Sequence, residues 1–193
     1  LGKLALKHRI VMAPMTRNRA TEAHVPTNLI VRYYEQHASR PGTLLITESV
    51  IVTERAGGYA YVPGLWNKEQ VAGWSKVVDV VHAKESFVFF QLWSVGESAL
   101  IMPNYLADRG FDAVSSADIP STDGKSPNVR ALTTAEVKEY VQGFITAGKN
   151  AIKAGADGVE IYGANGYIFE QFLNDTVNNQ RTDEYGGSIE NRA

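Results

Sequence analysis

The sequence predicts an α/β fold in which parallel strands are covered by helices. Apolar strand-like runs alternate with helical segments three times along the 193 residues, and a fourth strand and the first turn of a helix follow. The second run is continuously apolar rather than alternating, as expected for strands covered on both faces. The first strand is not followed by a G-x-G-x-x-G motif, and there is no P-loop pattern, which counts against the dinucleotide-binding open sheets. Periodicity alone leaves open a doubly wound sheet and part of a (β/α)8 barrel.

The first half of the chain supplies two strands and two helices. Residues 8–14 and 42–50 are short apolar runs that predict strands. Residues 28–39 and 67–86 have apolar side chains at intervals of three and four, which predicts helices. The predicted buried face of the second helix consists of Val71, Trp74, Val77, Val78 and Val81.

The second half continues the alternation after a long connection. Residues 87–93 and 157–162 predict buried strands, and the region 94–132 between them predicts a functional loop that shapes a pocket. A helix follows this loop, and a further helix start lies within residues 186–193. The apolar stripe predicted for the long helix consists of Val137, Val141, Phe144, Ala147, Gly148, Ala151 and Ile152.

Helix boundaries carry their own signals. Asn67 with Gln70, and Thr133 with Glu136, have the spacing of capping boxes. Gly155 predicts the end of the long helix, because glycine is favoured just past a helix C-terminus. Ser188 predicts the N-cap of the last helix.

Composition excludes several classes of protein. The net charge of −2 gives no reason to expect nucleic acid or a membrane surface as a partner. Cysteine is absent, which excludes a disulfide framework and thiolate metal sites and fits a cytoplasmic protein. No apolar run approaches ~20 residues. Because the chain opens at Leu1 and stops at Ala193 inside a predicted helix, we expect it to be a piece of something longer.

Each predicted strand ends in side chains that form hydrogen bonds. The carboxyl ends of parallel strands are where α/β proteins place their chemistry. The side chains at these ends are Thr16, Arg17, Thr47, Glu48, Ser49, Gln91, Trp93, Tyr162, Asn165 and Tyr167. Most are uncharged, which suits the binding of a flat polar heterocycle, although each alone also fits a structural role. No histidine lies at a strand end, so we expect no metal site.

Six motifs resemble one known family. The segments APMTRNRA, RPGTLLITES, AGGYAYVPGLW, FFQLW, ADGVEIYGANGYIFEQFL and QRTDEYGGSIENR are similar, in order, to the amino-terminal half of the old yellow enzymes. The resemblance implies a (β/α)8 TIM barrel of which residues 1–193 carry about the first four strands, as one domain that is incomplete at both ends.

The resemblance implies FMN as the cofactor and NAD(P)H as its reductant. Pro14, Met15 and Thr16 would flank the flavin ring, with the Thr16 hydroxyl near its pyrimidine side. Ser49 occupies a position where the family has a small residue whose backbone meets the flavin. Gln91 would form hydrogen bonds with the pyrimidine edge.

The same resemblance implies the substrate-binding and catalytic residues. Tyr59 and Trp93 would line the substrate pocket. Asn165 would be one of two donors to the oxygen of an activating carbonyl or nitro group, and Tyr162 stands where the family has His or Asn as the second donor. Tyr167 would protonate the substrate carbon after hydride arrives from the flavin.

The resemblance implies an ene-reductase, an oxidoreductase that reduces activated C=C bonds of α,β-unsaturated carbonyl compounds. The alternatives are a truncated, flavin-independent member acting as an isomerase or cyclase, and a non-catalytic remnant. In the family, the loops after strands seven and eight bind the FMN phosphate, and strands five to eight lie outside this sequence. The expected partners are therefore a small enone- or enal-type substrate and either a second copy or a carboxyl-terminal half that completes the barrel.

Overall fold

The computed structural model describes residues 1–121 and 127–193, which divide into two compact units. The first unit consists of Leu1–Thr53, Ala60–Leu92 and Phe144–Ile161. The second unit consists of Glu54–Tyr59, Trp93–Gly143 and Tyr162–Ala193. Within the described ranges, none of the helices is long and apolar enough to cross a membrane.

Parallel strands form the main sheet, as the sequence predicts. The strands of the described residues are β1 (Val11–Met12), β2 (Leu44–Ile46), β3 (Val50–Ile51), β4 (Phe87–Trp93), β5 (Val114–Ser115), β6 (Arg130–Ala131) and β7 (Gly158–Ile161). β1 pairs with β2, β2 with β4, and β4 with β7, all in parallel, and β3 lies beside β4 in the same sheet. β5 and β6 form a separate parallel pair in the second unit.

Helices alternate with the strands of the main sheet. Those of the described residues are α1 (Asn28–His37), α2 (Lys68–His82), α3 (Pro103–Ala107), α4 (Thr134–Ala154), α5 (Ile168–Leu173) and α6 (Ile189–Arg192). The capping boxes predicted at Asn67 and Thr133 are confirmed, and the Ser188 hydroxyl accepts a hydrogen bond from the Asn191 N–H. Gly155, at φ +99°, follows α4 in the left-handed conformation that favours glycine.

The two faces of β4 have different roles. Val88, Phe90 and Leu92 are fully buried on one face, where the Phe90 ring packs 4.7 Å from the Trp74 ring of α2. Because successive side chains of a strand point to opposite faces, Gln91 lies on the other face. The face of Val88, Phe90 and Leu92 thus anchors the strand, and the opposite face carries Gln91 in alternation with Phe87 and Phe89.

The buried stripe of α4 differs from the predicted one. Val141 and Ile152 were expected in the core but are 49% and 59% exposed. The buried positions are Val137, Tyr140, Gly143, Ala147, Ala151 and Ala154. Each exposed residue directly follows a buried one, and a step of one residue turns about 100° around the helix axis and out of the stripe.

Four other predictions are corrected by the structure. The first predicted strand, 8–14, contributes only Val11–Met12 to the ladder, and the second, 42–50, is divided into β2 and β3. β7 is not buried on both sides, because Val159 and Ile161 are exposed. The predicted loop 94–132 contains a 3₁₀ helix (Gly96–Ile101), α3, β5 and β6, while its residues 122–126 lie outside the described residues.

Candidate functional site

The first unit gathers polar side chains where β2 ends and along β4. Thr47, Glu48 and Ser49 follow β2 directly and are all buried. Gln91, on β4, is only 2% exposed. A buried polar group is costly unless it is hydrogen-bonded, so the partners of these side chains define what the site can do.

The Gln91 amide lies at the centre of a hydrogen-bonded series, which we call the Gln91 relay (Ser49, Gln91 and Glu160). The Ser49 hydroxyl donates to Gln91 Oε1 at 2.6 Å, and Gln91 Nε2 donates to Glu160 Oε1 at 2.9 Å. The backbone N–H of Gln91 donates to Thr47 Oγ1 at 3.1 Å. The amide therefore keeps one N–H and one oxygen lone pair for a further partner.

The loop after β1 holds the other predicted flavin-binding residues. Pro14 is half-buried, whereas the side chains of Met15 and Thr16 are exposed. The backbone N–H of Arg17, next along this loop, donates to Glu48 Oε2 at 3.0 Å. This hydrogen bond ties the loop after β1 to the end of β2.

Glu48 is a fully buried carboxyl group. Burial raises its pKa from the ordinary 4.5 to about 7, against the opposing effect of the Arg17 N–H and of the Arg17 and Arg19 charges. Its backbone N–H donates to the Tyr34 hydroxyl at 2.6 Å, and burial raises the pKa of that phenol as well. Glu48 Oε1 is buried and has no hydrogen-bond partner among the described residues.

The second unit contains an aromatic cluster that includes four predicted site residues. The Trp93 ring lies 5.4 Å from the Tyr59 ring and meets the Tyr167 ring edge-on at 5.1 Å. The Tyr162 and Tyr167 rings meet edge-on at 4.7 Å. The buried Trp93 Nε1 has no hydrogen-bond partner in the described part of the chain.

The loop after β7 needs residues that tolerate a left-handed backbone. Asn165 and Gly166 have φ angles of 60° and 75°, and asparagine and glycine are the residues that adopt such angles most readily. The Gly166 N–H donates to Glu170 Oε2 at 2.6 Å, which fixes the turn against α5. In this conformation Asn165 Nδ2 donates to the Tyr162 hydroxyl at 2.8 Å.

Tyr167 is held as an un-ionised phenol. Burial raises its pKa above the ordinary value of 10.0, and the neighbouring Tyr162 adds to the increase. Tyr59 shows a raised pKa for the same first cause, with Tyr167 contributing. A phenol that keeps its proton at neutral pH can act as a general acid.

Two residues of these clusters were not predicted from the sequence. Glu160 lies inside β7, and its one available signal is a charge within an otherwise apolar run. Gln171 is 1% exposed, and its Nε2 donates to the Gly166 carbonyl oxygen at 2.6 Å, while its Oε1 accepts from the Ser115 hydroxyl at 3.0 Å. Nothing in its local sequence distinguishes Gln171 from a solvent-facing helical glutamine.

The structure thus brings the predicted residues together in two groups. In the first unit Ser49 and Gln91 are in direct contact, while Pro14, Met15 and Thr16 lie in the neighbouring loop. In the second unit the predicted residues in contact are Tyr59, Trp93, Tyr162, Asn165 and Tyr167.

Comparison with known proteins gives consistent matches over the whole chain. A protein of Epichloe festucae var. lolii named probable inactive reductase easA is 49% identical over 193 residues, which are 100% of this chain and 50% of that protein. Chanoclavine-I aldehyde reductase ifgG of Penicillium roqueforti (strain FM164) is also 49% identical, with the same coverage. The crystal structure of Old Yellow Enzyme from Pichia sp. AKU4542 has a TM-score of 0.92 at 38% identity, covering 99% of this chain and 51% of that one.

These matches confirm the predicted family and the predicted barrel fold. The chain spans about half the length of the curated relatives it matches, and it corresponds to the amino-terminal half of an old yellow enzyme barrel. The family model described as NADH:flavin oxidoreductase / NADH oxidase matches residues 1–193. The chain belongs to the NADH:flavin oxidoreductase / NADH oxidase family, which includes the old yellow enzymes.

Proposed function

We propose that the protein containing this chain is an FMN-dependent ene-reductase that reduces the C=C bond of α,β-unsaturated carbonyl compounds. The observation that carries the proposal is the grouping of two hydrogen-bond donors and an un-ionised phenol around one loop of the second unit. Asn165, Tyr162 and Tyr167 form this group.

The two donors suit the oxygen of a substrate carbonyl. The Tyr162 hydroxyl accepts from Asn165 Nδ2, so its own proton is free to point toward another acceptor. Asn165 Nδ2 keeps a second N–H for the same purpose. Two donors on the carbonyl oxygen stabilise the negative charge that develops there as the β-carbon is reduced.

Tyr167 suits the role of the acid that completes the reduction. Like any phenol with a pKa of 10.0 or above, its hydroxyl is protonated at neutral pH and carries a proton that can be transferred to the α-carbon. The resulting tyrosinate then regains a proton from solvent. Addition of a hydride at one carbon and this proton at the other converts the C=C bond to a C–C bond.

The first unit offers residues that fit FMN. The Gln91 amide keeps one donor and one acceptor, which match the alternating N–H and carbonyl edge of the flavin pyrimidine ring. Pro14, Met15, Thr16 and Ser49 are the other residues proposed to hold it. When bound and reduced by NAD(P)H, FMN would supply the hydride for the β-carbon.

A visible absorption spectrum of the purified protein, before and after addition of FMN, tests the proposal. Flavin bands near ~450 nm that survive desalting, and that bleach with NAD(P)H and return with a simple cyclic enone, are the expected result. A protein that never retains FMN would overturn it.

The second candidate is a flavin-independent isomerase or cyclase that uses the same loop. It is favoured by one observation, namely that the Asn165 amide, the Tyr162 hydroxyl and the Tyr167 acid lie within one unit and can move protons on an enone without a cofactor. A colourless protein that exchanges the α-hydrogen of an enone with deuterated water would support this candidate.

A further inference from the structure

We propose that Ser49 and Glu160 are positioning residues that fix the orientation of the Gln91 amide. They thereby determine which arrangement of donor and acceptor groups on the edge of a ligand ring the amide can bind. The inference rests on the proposed function, because the edge in question is that of the flavin pyrimidine ring. It concerns two side chains of the Gln91 relay that would themselves act through Gln91.

The chemistry of the partners dictates which amide atom points where. A carboxylate only accepts hydrogen bonds, so the contact with Glu160 must be made by the NH₂ group of Gln91. The amide oxygen therefore faces Ser49, whose hydroxyl must donate to it. An amide with two neutral hydroxyl neighbours would have no such preference.

Strand register brings the partners into contact. Gln91 of β4 and Glu160 of β7 are direct partners in the parallel ladder, and side chains opposite each other lie on the same face. Ser49 is 5% exposed and approaches the amide from its other side. The two hydrogen bonds, one to each end of the amide, restrict its rotation, and the Gln91 backbone is held separately by Thr47.

A fixed amide discriminates between ligand edges. With its orientation set, Gln91 presents its remaining lone pair on one side and its remaining N–H on the other. The lone pair suits the N3–H of a flavin, and the N–H suits a neighbouring ring carbonyl. If the amide were free to turn over, it would present the two groups in the reverse order part of the time and would bind the edge less tightly.

The experiment compares two ligands on three variants of the protein at its natural length. The ligands are FMN and N3-methyl-FMN, which lacks the N3–H, and dissociation constants are measured by flavin fluorescence. The variants are Ser49→Ala, Glu160→Gln and the control Ser86→Ala. Ser86 is a buried serine of the same unit whose hydroxyl donates to the carbonyl oxygens of Ala38 and Arg40.

We expect Ser49→Ala and Glu160→Gln each to weaken FMN about three- to tenfold, the usual effect of losing one hydrogen bond. Their affinity for N3-methyl-FMN should fall by a clearly smaller factor, because that ligand lacks the N3–H and keeps only a ring carbonyl with which to use the selected orientation. Ser86→Ala should change both affinities by the same factor. In the protein without FMN, the side-chain amide NMR signals of Gln91 should shift in the first two variants and not in the control.

The outcomes separate this inference from the proposed function. Equal weakening of both ligands, or unshifted Gln91 signals, would show that Ser49 and Glu160 serve only the fold and would overturn the inference alone. A wild-type protein that binds neither ligand would overturn the proposed function and this inference with it.

Discussion

Replacing Glu48 with glutamine should remove a pH-dependent loss of stability. Glutamine has nearly the shape of the protonated acid, and its carbonyl oxygen can still accept from the Arg17 N–H. The substitution therefore keeps the observed hydrogen bond and removes the group that ionises. Its NH₂ group takes the place of the unpartnered Oε1 at every pH, so the change of stability with pH, and not its absolute value, is compared. The comparison isolates the cost of a charge at a position with 0% solvent exposure.

The magnitude follows from the shift in pKa. The folded protein holds the Glu48 proton up to about pH 7, whereas the unfolded chain releases it near 4.5. Between these values the folded state binds more protons, so its stability falls as pH rises. A shift of this size corresponds to about 3 kcal/mol of unfolding free energy, lost from pH 4.5 upward and fully lost above about pH 7.

Urea unfolding of the wild type and Glu48→Gln, from about pH 5 to about pH 8, measures this effect. The glutamine variant should gain stability relative to the wild type from about pH 5 to about pH 7, and the difference should then level off. Glu69→Gln is the matched control, since it removes the same charge from an exposed position in the first unit. Parallel curves for the wild type and Glu48→Gln would refute the reasoning, because they would mean that the buried carboxyl has an ordinary pKa.

Three further changes test the loop after β7 and the pairing of β7 with β4. Tyr167→Phe should slow enone reduction by a factor of about 10²–10⁴ in stopped-flow measurements and leave the rate of FMN reduction by NAD(P)H unchanged. An equal fall in both rates would contradict the proposed role of Tyr167 as the acid. Asn165→Ala should lower the unfolding free energy by about 1 kcal/mol, because alanine tolerates a φ of 60° poorly. Asn165→Gly should keep the stability and lose only the hydrogen bond to Tyr162. Equal losses of stability in the two variants would contradict this separation. Gly158→Ala should destabilise the protein by about 1–3 kcal/mol in urea unfolding, because the alanine Cβ would lie 2.7 Å from the Phe89 ring. An unchanged unfolding midpoint would show that this ring moves freely.

Local signals in the sequence identify most of the main sheet and its helices. The strand 87–93 has the predicted bounds because a continuous apolar run is enough to specify a central strand. The helix starting after Asn67 is equally well specified, since its cap and its buried face both lie within one segment. These features depend on residues that are close together in the chain.

Features that depend on distant residues could not be predicted in the same way. Glu160 becomes a partner of Gln91 only through the register between β7 and β4, and 69 residues separate the two. The pairing of β5 with β6 could not be predicted for a different reason. Each strand contributes only two residues to the ladder, which is too short for a recognisable pattern. The exposure of Val141 depends on which side of α4 is covered, which apolar spacing alone does not specify.

The bond between Asn165 and Tyr162 has an evolutionary consequence. The two residues hold each other, so the effect of changing one depends on the identity of the other, and substitutions at the two positions should show epistasis. Position 165 is further restricted by its left-handed backbone to residues such as asparagine and glycine. Divergence among related chains should therefore proceed through position 162, where a new side chain would change the hydrogen-bonding groups beside Asn165 without disturbing the backbone of the loop.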